Sequence, residues 1–432
     1  MELNRLAPED RSVHDWYRFV LSYPPHLVRD YVSKFGLENG QTVLDPFCGT
    51  GTTLIEAKKS RIGSIGIEAH PFSHFASATK LDWMVDPHRM LANADYIAAE
   101  AAAELARNGI VDSLQGELGF EPPAMRHLRS LSSEEMDLLL TDSISPLPLH
   151  KTLALRDCIE KYANPEWHAH LKLALAKALV GPIGNLHFGP EVGVGKPKED
   201  APVISSWLNI VRQMASDLES LYKIRPVAAK AIHADSRALP RIIKPSTIDA
   251  VITSPPYPNE KDYTRTTRLE SVVLGFIKTK TELKAFKQNL MRSNTRNVYK
   301  ADTDDFWVKD HREIQRIASA IEARRIELGK TSGFERLYAK VTKLYFGGMA
   351  RHLAELRPAL RPGAKLAYVV GDQASYLRVM IRTGELIASI AEPLGYTVQS
   401  IDLFRTRLAT ATREQLREEV VVLQWKGVTR RG

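Results

Sequence analysis

The stretch TVLDPFCGTGTTLIEAKKSRIGSIGIEAH, residues 42–70, reads as a short apolar strand, a glycine-rich turn, a helix and a second strand that ends at Glu68. Apolar residues that alternate, then recur at helical spacing, then alternate again predict half of a βαβ unit. Upstream, HDWYRFVLSYPPHLVRDYVSKFGL (14–37) predicts a Pro-Pro turn and an amphipathic helix with Leu27, Val28, Tyr31, Val32 and Phe35 on one face, stopped by Gly36. Downstream, short apolar runs return at KAIHADSRAL (230–239) and TIDAVITSPPY (247–257), each ending in polar residues as parallel strands feeding loops do. A helix over 347–360, an Arg-Pro-Gly turn at 361–363, the strand AKLAYVVGD (364–372), a helix over 375–394 and two last strands, YTVQSIDLF (396–404) and EEVVVLQW (418–425), complete the pattern. This alternation predicts a doubly wound α/β sheet, mostly parallel and closing on an antiparallel pair. Ligands of such sheets sit at the carboxyl ends of the strands, near the point where strand order reverses.

The chain has 432 residues, 44% of them hydrophobic and 25% charged, with a formal charge of +8. That composition excludes a disordered or fibrous chain and leaves room for two or three domains at ~100–200 residues each. Two cysteines, Cys48 and Cys158, cannot build a disulfide framework or a cysteine zinc site. The histidines show no ligand spacing, so no metal site is expected. The N-terminus lacks an apolar leader, and no stretch approaches the ~20 apolar residues of a membrane span. The expectation is a soluble cytoplasmic protein. The chain divides into an N-terminal block (1–82), a helical insertion (83–228) and a C-terminal block (229–432) that contains a basic helical segment, 278–345.

Two clusters carry chemistry. In DPFCGTGTT (45–53), Gly49 and Gly51 let the backbone approach a ligand closely. The loop lacks the Gly-Lys-Ser/Thr ending of a phosphate loop, and Leu54 stands where a dinucleotide fingerprint needs glycine. A lone Gly-x-Gly also fits any tight strand-to-helix turn. Glu68, closing the next strand, occupies the place where an acid hydrogen-bonds the ribose hydroxyls of a nucleoside cofactor. The second cluster is TSPPY (253–257), where two prolines stiffen the backbone after an apolar strand. Ser254 and the Pro255 carbonyl then offer two acceptors and Tyr257 a flat face, a set suited to a planar base with an exocyclic amine. In GPEVGVGKPKED (189–200), glycines and lysines fit either a phosphate cradle or a surface turn.

With these motifs together the chain resembles the S-adenosylmethionine-dependent DNA methyltransferases that modify exocyclic amino groups. VLDPFCGTGTT is similar to their cofactor loop, IEAHP to their ribose-binding acid, TSPPY to their catalytic tetrapeptide, YRFVLSYPPHLV (17–28) to their methionine-side motif, and HADSRAL (233–239) to the strand end whose acid meets the adenine amine. The resemblance implies a Rossmann-like class I methyltransferase sheet with a largely helical insertion. It implies S-adenosylmethionine as cofactor, held by Tyr23, Asp45, Pro46, Phe47, Gly49, Gly51, Thr52, Glu68, Asp235 and Ser236, with Ser254, Pro255, Pro256 and Tyr257 holding the target base. The insertion 83–228 and the basic segment 278–345 compete for target recognition.

Methylation of cytosine carbon 5 needs a thiolate in a Pro-Cys dipeptide, and neither cysteine follows proline. Transfer to an amine needs only alignment, with the base flipped out of the duplex. Lys261, Arg265, Arg268, Lys287, Arg292, Arg296 and Lys300 are the candidate phosphate contacts to double-stranded DNA. Serine in the tetrapeptide favours cytosine N4, ahead of adenine N6 and of an RNA guanine-N2 methyltransferase; a non-catalytic binding protein is the remaining reading. Restriction-modification, with a separately encoded endonuclease as partner, is the expected context.

Overall fold

The computed structural model describes residues 6–19, 22–112, 128–188, 192–224, 226–259, 261–408 and 415–427. They fall into two compact units. One, largely helical, takes the described parts of 1–22, 71–226 and 263–285; the other, built on a sheet, takes those of 23–70, 227–262 and 286–432. The helical unit therefore draws on more than the insertion, gaining the N-terminal segment and the stretch after the tetrapeptide.

In chain order the strands are β1 (Thr42–Asp45), β2 (Gly63–Glu68), β3 (Leu186–Phe188), β4 (Val192–Val194), β5 (Ala229–His233), β6 (Ile248–Thr253), β7 (Leu360–Gly371), β8 (Tyr396–Leu408) and β9 (Gln415–Trp425). The large sheet runs β5-β2-β1-β6-β7-β9-β8. Its first five strands are parallel, and β9 is antiparallel to both β7 and β8. The chain winds outward from β1 through β2 to β5, then returns beside β1 at β6 and winds the other way. The order of winding thus reverses between β1 and β6, which marks the ligand edge.

Successive side chains of a strand point to opposite faces, and both faces here are covered. Leu44, Val251, Leu366, Tyr368 and Val370 pack on one side with Tyr345, Phe346, Met349 and Leu353 of the helix Tyr338–Leu356. Val43, Ala250, Ile252, Ala367 and Val369 pack on the other with Leu27, Val28, Tyr31, Val32 and Phe35 of the helix Pro25–Phe35. That is the apolar face read from the sequence.

Two elements differ from the sequence reading. Strand β7 begins at Leu360, so Arg361, Pro362 and Gly363 lie inside it rather than in a separating turn. The register moves from Ile248 opposite Leu360 to Ala250 opposite Lys365, so these three residues bulge outward, and the Arg361 guanidinium anchors the bulge on Asp249 at 2.6 Å. The helix expected over 375–394 is confined to Thr383–Ala391. Ahead of it Asp372 is buried and pairs with Arg382 at 2.5 Å and Arg417 at 3.0 Å, while Gln373 bridges Ile381, so the chain loops back where its composition suggested helix.

In the helical unit, Asp112 accepts from the backbone N–H groups of Val203 and Ile204, both at 2.8 Å, capping the helix Val203–Ser220. The Asp217 carboxylate on that helix receives the Trp16 indole at 2.7 Å and the Val13 amide at 3.0 Å. Strands β3 and β4 pair as a small antiparallel hairpin. Of GPEVGVGKPKED, residues 189–191 lie outside the described residues. The Lys198 ammonium donates to the carbonyls of Gly181, Pro182 and Gly184 at 3.2, 2.8 and 2.6 Å, so this lysine fastens its own loop. Among the described residues no helix is long and apolar enough to cross a membrane.

Gly66 on β2 faces the glycine-rich turn so closely that a Cβ there would lie 2.5 Å from Leu54 Cδ1 and 2.7 Å from Cys48 Sγ. Gly66→Ala should lower unfolding free energy by roughly 1–3 kcal/mol, the usual cost of overpacking. Denaturant unfolding checks this, with Cys48→Ala in the same chain recovering part of the loss.

Candidate active site

Asp45 ends β1 with its carboxylate fully buried. Oδ1 accepts from the Thr253 hydroxyl at 2.6 Å and from the Phe47 amide at 3.1 Å. The Tyr23 hydroxyl lies 3.4 Å from Oδ2 and bonds the Thr53 hydroxyl, which donates to the Ile252 carbonyl at 3.0 Å. Burial raises the Asp45 carboxyl to about 6, against the pull of these hydrogen bonds. Asp45 therefore ties together the turn after β1, the end of β6 and Tyr23.

The turn itself holds Gly49 at φ +52° and Gly51 at φ +91°, left-handed values that favour glycine. Gly51 leads into the helix Thr52–Lys59. The Gly49 amide donates to Glu68 Oε2 at 2.9 Å and the His70 amide to Oε1 at 2.7 Å. Each carboxylate oxygen keeps a lone pair for a further donor. Nothing lies within 4 Å of the place a Cβ would take on Gly49, so the turn faces open space. Loss of solvent pushes the Glu68 carboxyl up to about 7.

Beyond β5, both Asp235 oxygens are engaged by Arg237, at 2.9 and 2.7 Å, and Arg237 reaches on to Asp304 at 2.6 Å. Ser236 is buried, and its carbonyl accepts from His352 Nδ1 at 2.9 Å. Burial lowers His352 to about 4, so the ring is neutral and its Nε2 accepts the Tyr368 hydroxyl at 2.8 Å. The Phe47 ring meets the same imidazole edge-on, with centroids 4.9 Å apart. His352, Tyr368, Arg237 and Asp304 were absent from the sequence reading. His352 sits in GGMARHLAEL with the spacing of any helix residue, and only the tertiary fold brings it to Phe47 and Ser236.

At the end of β6 the Ser254 hydroxyl donates to the Val369 carbonyl of β7 at 3.1 Å. Its single proton is thereby committed, and the oxygen can only accept from a further partner. Tyr257 lies against the end of β7, where a Cβ on Gly371 would come within 3.0 Å of the tyrosine ring. The Tyr257 carbonyl accepts the Asn259 amide at 2.8 Å, and Asn259 Oδ1 accepts the Lys261 amide at 3.0 Å. The strand ends thus bring the glycine turn, Glu68, Asp235 and the tetrapeptide to one edge of the sheet.

A family profile described as DNA methylase, of the N6- and N4-methylating type, matches residues 7–77. The Type II methyltransferase M.BsoBI of Geobacillus stearothermophilus is 25% identical over 94% of this chain and 83% of its own length. The Type II methyltransferase M.AvaI of a Nostoc species is 22% identical over 96% of this chain and 87% of its own. The chain is a relative of the DNA amino-methyltransferases. A solved structure, TrmN from Thermus thermophilus, aligns with 96% of the chain at 13% identity and a TM-score of 0.28, the chain spanning 52% of that structure's length. The methyltransferase fold rests on strand order, not on this overlay.

The basic residues of this methyltransferase relative separate into two groups. Arg296 and Lys300 are exposed, and Lys261 is partly so. Arg292 is only 4% exposed, and its guanidinium holds Asp302 through two bonds of 2.9 and 2.8 Å and the Gln288 carbonyl at 3.0 Å. It braces the loop from inside rather than facing outward, a correction to its reading as a phosphate contact. Lys287 is likewise paired, with Asp262 at 2.9 Å. In the helical unit, Arg268 donates to the Thr264 carbonyl and hydroxyl at 3.1 and 3.0 Å and to the Leu138 carbonyl at 3.2 Å. Arg265 Nε is buried without a hydrogen-bond partner.

Glu68 gives the site a pH dependence of definite sign. Its folded value of about 7 exceeds the ordinary 4.5, so its contribution to folding is full below 4.5 and is lost as pH rises through about 7. Binding of a ribose diol runs the other way, because the ionised carboxylate is the better acceptor. For a nucleoside cofactor whose ribose is held by Glu68, calorimetric affinity should tighten between about pH 6 and about pH 8, and Glu68→Gln should weaken binding and flatten that dependence.

Proposed function

We propose that the protein transfers a methyl group from S-adenosylmethionine to the exocyclic amine of a base flipped out of double-stranded DNA, with cytosine N4 as the target atom. The observation that carries this reading is the Ser254 hydroxyl bonded to Val369, which leaves its oxygen as an acceptor beside the Pro255 carbonyl on a proline-stiffened turn. Two acceptors suit an NH₂ group, and Tyr257, seated against Gly371, supplies the stacking face.

The residues present fit the cofactor. Glu68 offers its remaining lone pairs to a ribose diol, and the space before Gly49 admits a ligand against the backbone. In this reading Tyr23, Asp45, Pro46, Phe47, Gly51 and Thr52 hold the cofactor with Asp235 and Ser236, the two last being themselves fixed by Arg237 and His352. The cofactor supplies a methyl group already activated on a sulfonium.

Ser254 and the Pro255 carbonyl, by accepting hydrogen bonds from the two N–H groups of the amine, turn the nitrogen lone pair out of conjugation and toward the incoming carbon. Positioning at near-attack distance carries the rate, with no covalent enzyme intermediate. The N–C bond forms as the C–S bond breaks, and the surplus amine proton leaves to water; Ser254 cannot take it, its role being that of a neutral hydroxyl. Base flipping is offset by pocket contacts, and stacking on Tyr257 contributes roughly 1–3 kcal/mol. Lys261, Arg265, Arg296 and Lys300 are the proposed phosphate contacts. Relatives called Type II methyltransferases support a separately encoded endonuclease as partner.

The test is incubation with labelled S-adenosylmethionine and either duplex DNA or total RNA, followed by nucleoside mass spectrometry. N4-methylcytosine in DNA is the expected product; N6-methyladenine would move the target atom, and labelled RNA alone would overturn the DNA reading. Tyr257→Ala and Ser254→Ala should each cut turnover by about 10²-fold, the scale of a misplaced reacting group, with cofactor affinity unchanged.

A further inference from the structure

The stretch 291–297 of the loop expected to present basic residues to solvent is mostly buried. Arg292, Ser293, Asn294, Thr295 and Asn297 are buried, and Arg296 alone among 292–297 is exposed. Asn294, with no exposed surface, donates through Nδ2 to the Lys261 carbonyl at 3.2 Å and accepts the Arg296 amide on Oδ1 at 3.0 Å. One buried side chain therefore joins the segment leaving the tetrapeptide to the backbone of Arg296. The Arg296 guanidinium lies over the ring of Phe334, 5.8 Å from its centroid, and Phe334 is 53% exposed.

The half-exposed Phe334 ring and the guanidinium over it together offer a flat face beside a cation. After Phe334 a 3-10 turn, Glu335–Leu337, carries the exposed Arg336 and leads into the helix Tyr338–Leu356, where Lys340 and Lys343 are half-buried. Lys340 and Lys343, three residues apart within that helix, occupy neighbouring positions on its surface about 5–6 Å apart. Val341, Leu344 and Tyr345 of the same helix are buried. Neither Arg296 nor any of these three cations has an ion-pair partner among the described residues, in contrast to Arg292, Arg237 and Lys287.

We propose that Arg296, Phe334 and the row Arg336, Lys340 and Lys343 form the surface on which DNA flanking the target base is held, the ring stacking on a base and the cations following the phosphates. The proposal rests on the reading of the protein as a DNA methyltransferase. Its occupant is chosen by charge: unpaired cations in a row match a polyanion, and an exposed aromatic beneath an arginine offers the stacking face that nucleic-acid sites use. Asn294 acts as a positioning residue, since it ties this surface to the turn that carries Tyr257.

The test uses the full chain, a fluorophore-labelled duplex for affinity, and sheared unmethylated bacterial DNA for methylation. Phe334→Ala should weaken duplex binding about tenfold while Phe334→Trp retains it, as stacking requires. The triple variant Arg336→Gln, Lys340→Gln, Lys343→Gln should lower the slope of log affinity against log salt by about two to three and raise KM for DNA with kcat kept. S-adenosylmethionine affinity should match wild type in all, which certifies the fold. Unchanged duplex affinity and salt slope in these variants, with wild type binding and methylating DNA, would overturn the proposal and leave the DNA reading standing. A wild-type chain that neither binds nor labels DNA would end both.

Discussion

The hydrogen bond from Thr253 to the buried carboxylate of Asp45 holds together the edge of the sheet that carries the candidate site. Strands β1 and β6 lie side by side where the winding of the sheet reverses, and their last residues are these two. One residue beyond Thr253 stands Ser254; two beyond Asp45 stands Phe47, whose amide shares the same carboxylate oxygen. A charge removed from water is tolerated only when its lone pairs are filled, so the carboxylate fixes the geometry of everything that donates to it. The cofactor turn and the tetrapeptide, more than two hundred residues apart in sequence, are thereby set in one frame.

A second network does similar work on the other side of the edge. Arg237 joins Asp235 to Asp304, and Arg351 meets Asp304 from the helix Tyr338–Leu356 at 3.1 Å. Gly347 on that helix passes so near Asp304 that a Cβ would lie 1.9 Å from its carbonyl oxygen. The close approach and the buried ion pairs together explain how part of a loop as polar as 287–305 is buried: Arg292 is neutralised by Asp302 and Asp304 by Arg237 and Arg351, while Arg296 and Lys300 stay exposed.

Much of this was legible in the chain itself. The βαβ half-unit, the helix Pro25–Phe35, the antiparallel close and the two motifs follow from local periodicity and turn chemistry, which act over a few residues. What escaped the sequence depends on distant partners. The loop 287–305 looks solvent-facing because its arginines and asparagines are polar, yet Arg292 finds Asp302 and Asn294 finds the Lys261 carbonyl only once the chain is folded. Asp372 likewise turns an apolar, helix-like stretch into a loop by gathering Arg382 and Arg417. The bulge at Arg361 to Gly363 was read as a turn because Pro-Gly is turn chemistry, and the pairing of Leu360 with Ile248 overrides it.

The chain passes between the two units at 22/23, 70/71, 226/227, 262/263 and 285/286. Tyr23 begins just after the first seam, Glu68 ends just before the second, β5 begins just after the third, and Tyr257 lies five residues before the fourth. After the lead-in segment, two excursions, 71–226 and 263–285, leave the sheet unit and rejoin it, and four of the five seams lie within a few residues of the candidate site or the strand that leads to it. Sequence between the seams can lengthen, shorten or diverge while the strands keep their order, so the two units are free to evolve at different rates. The sheet acts as a fixed chassis with its sockets already wired to the reaction centre.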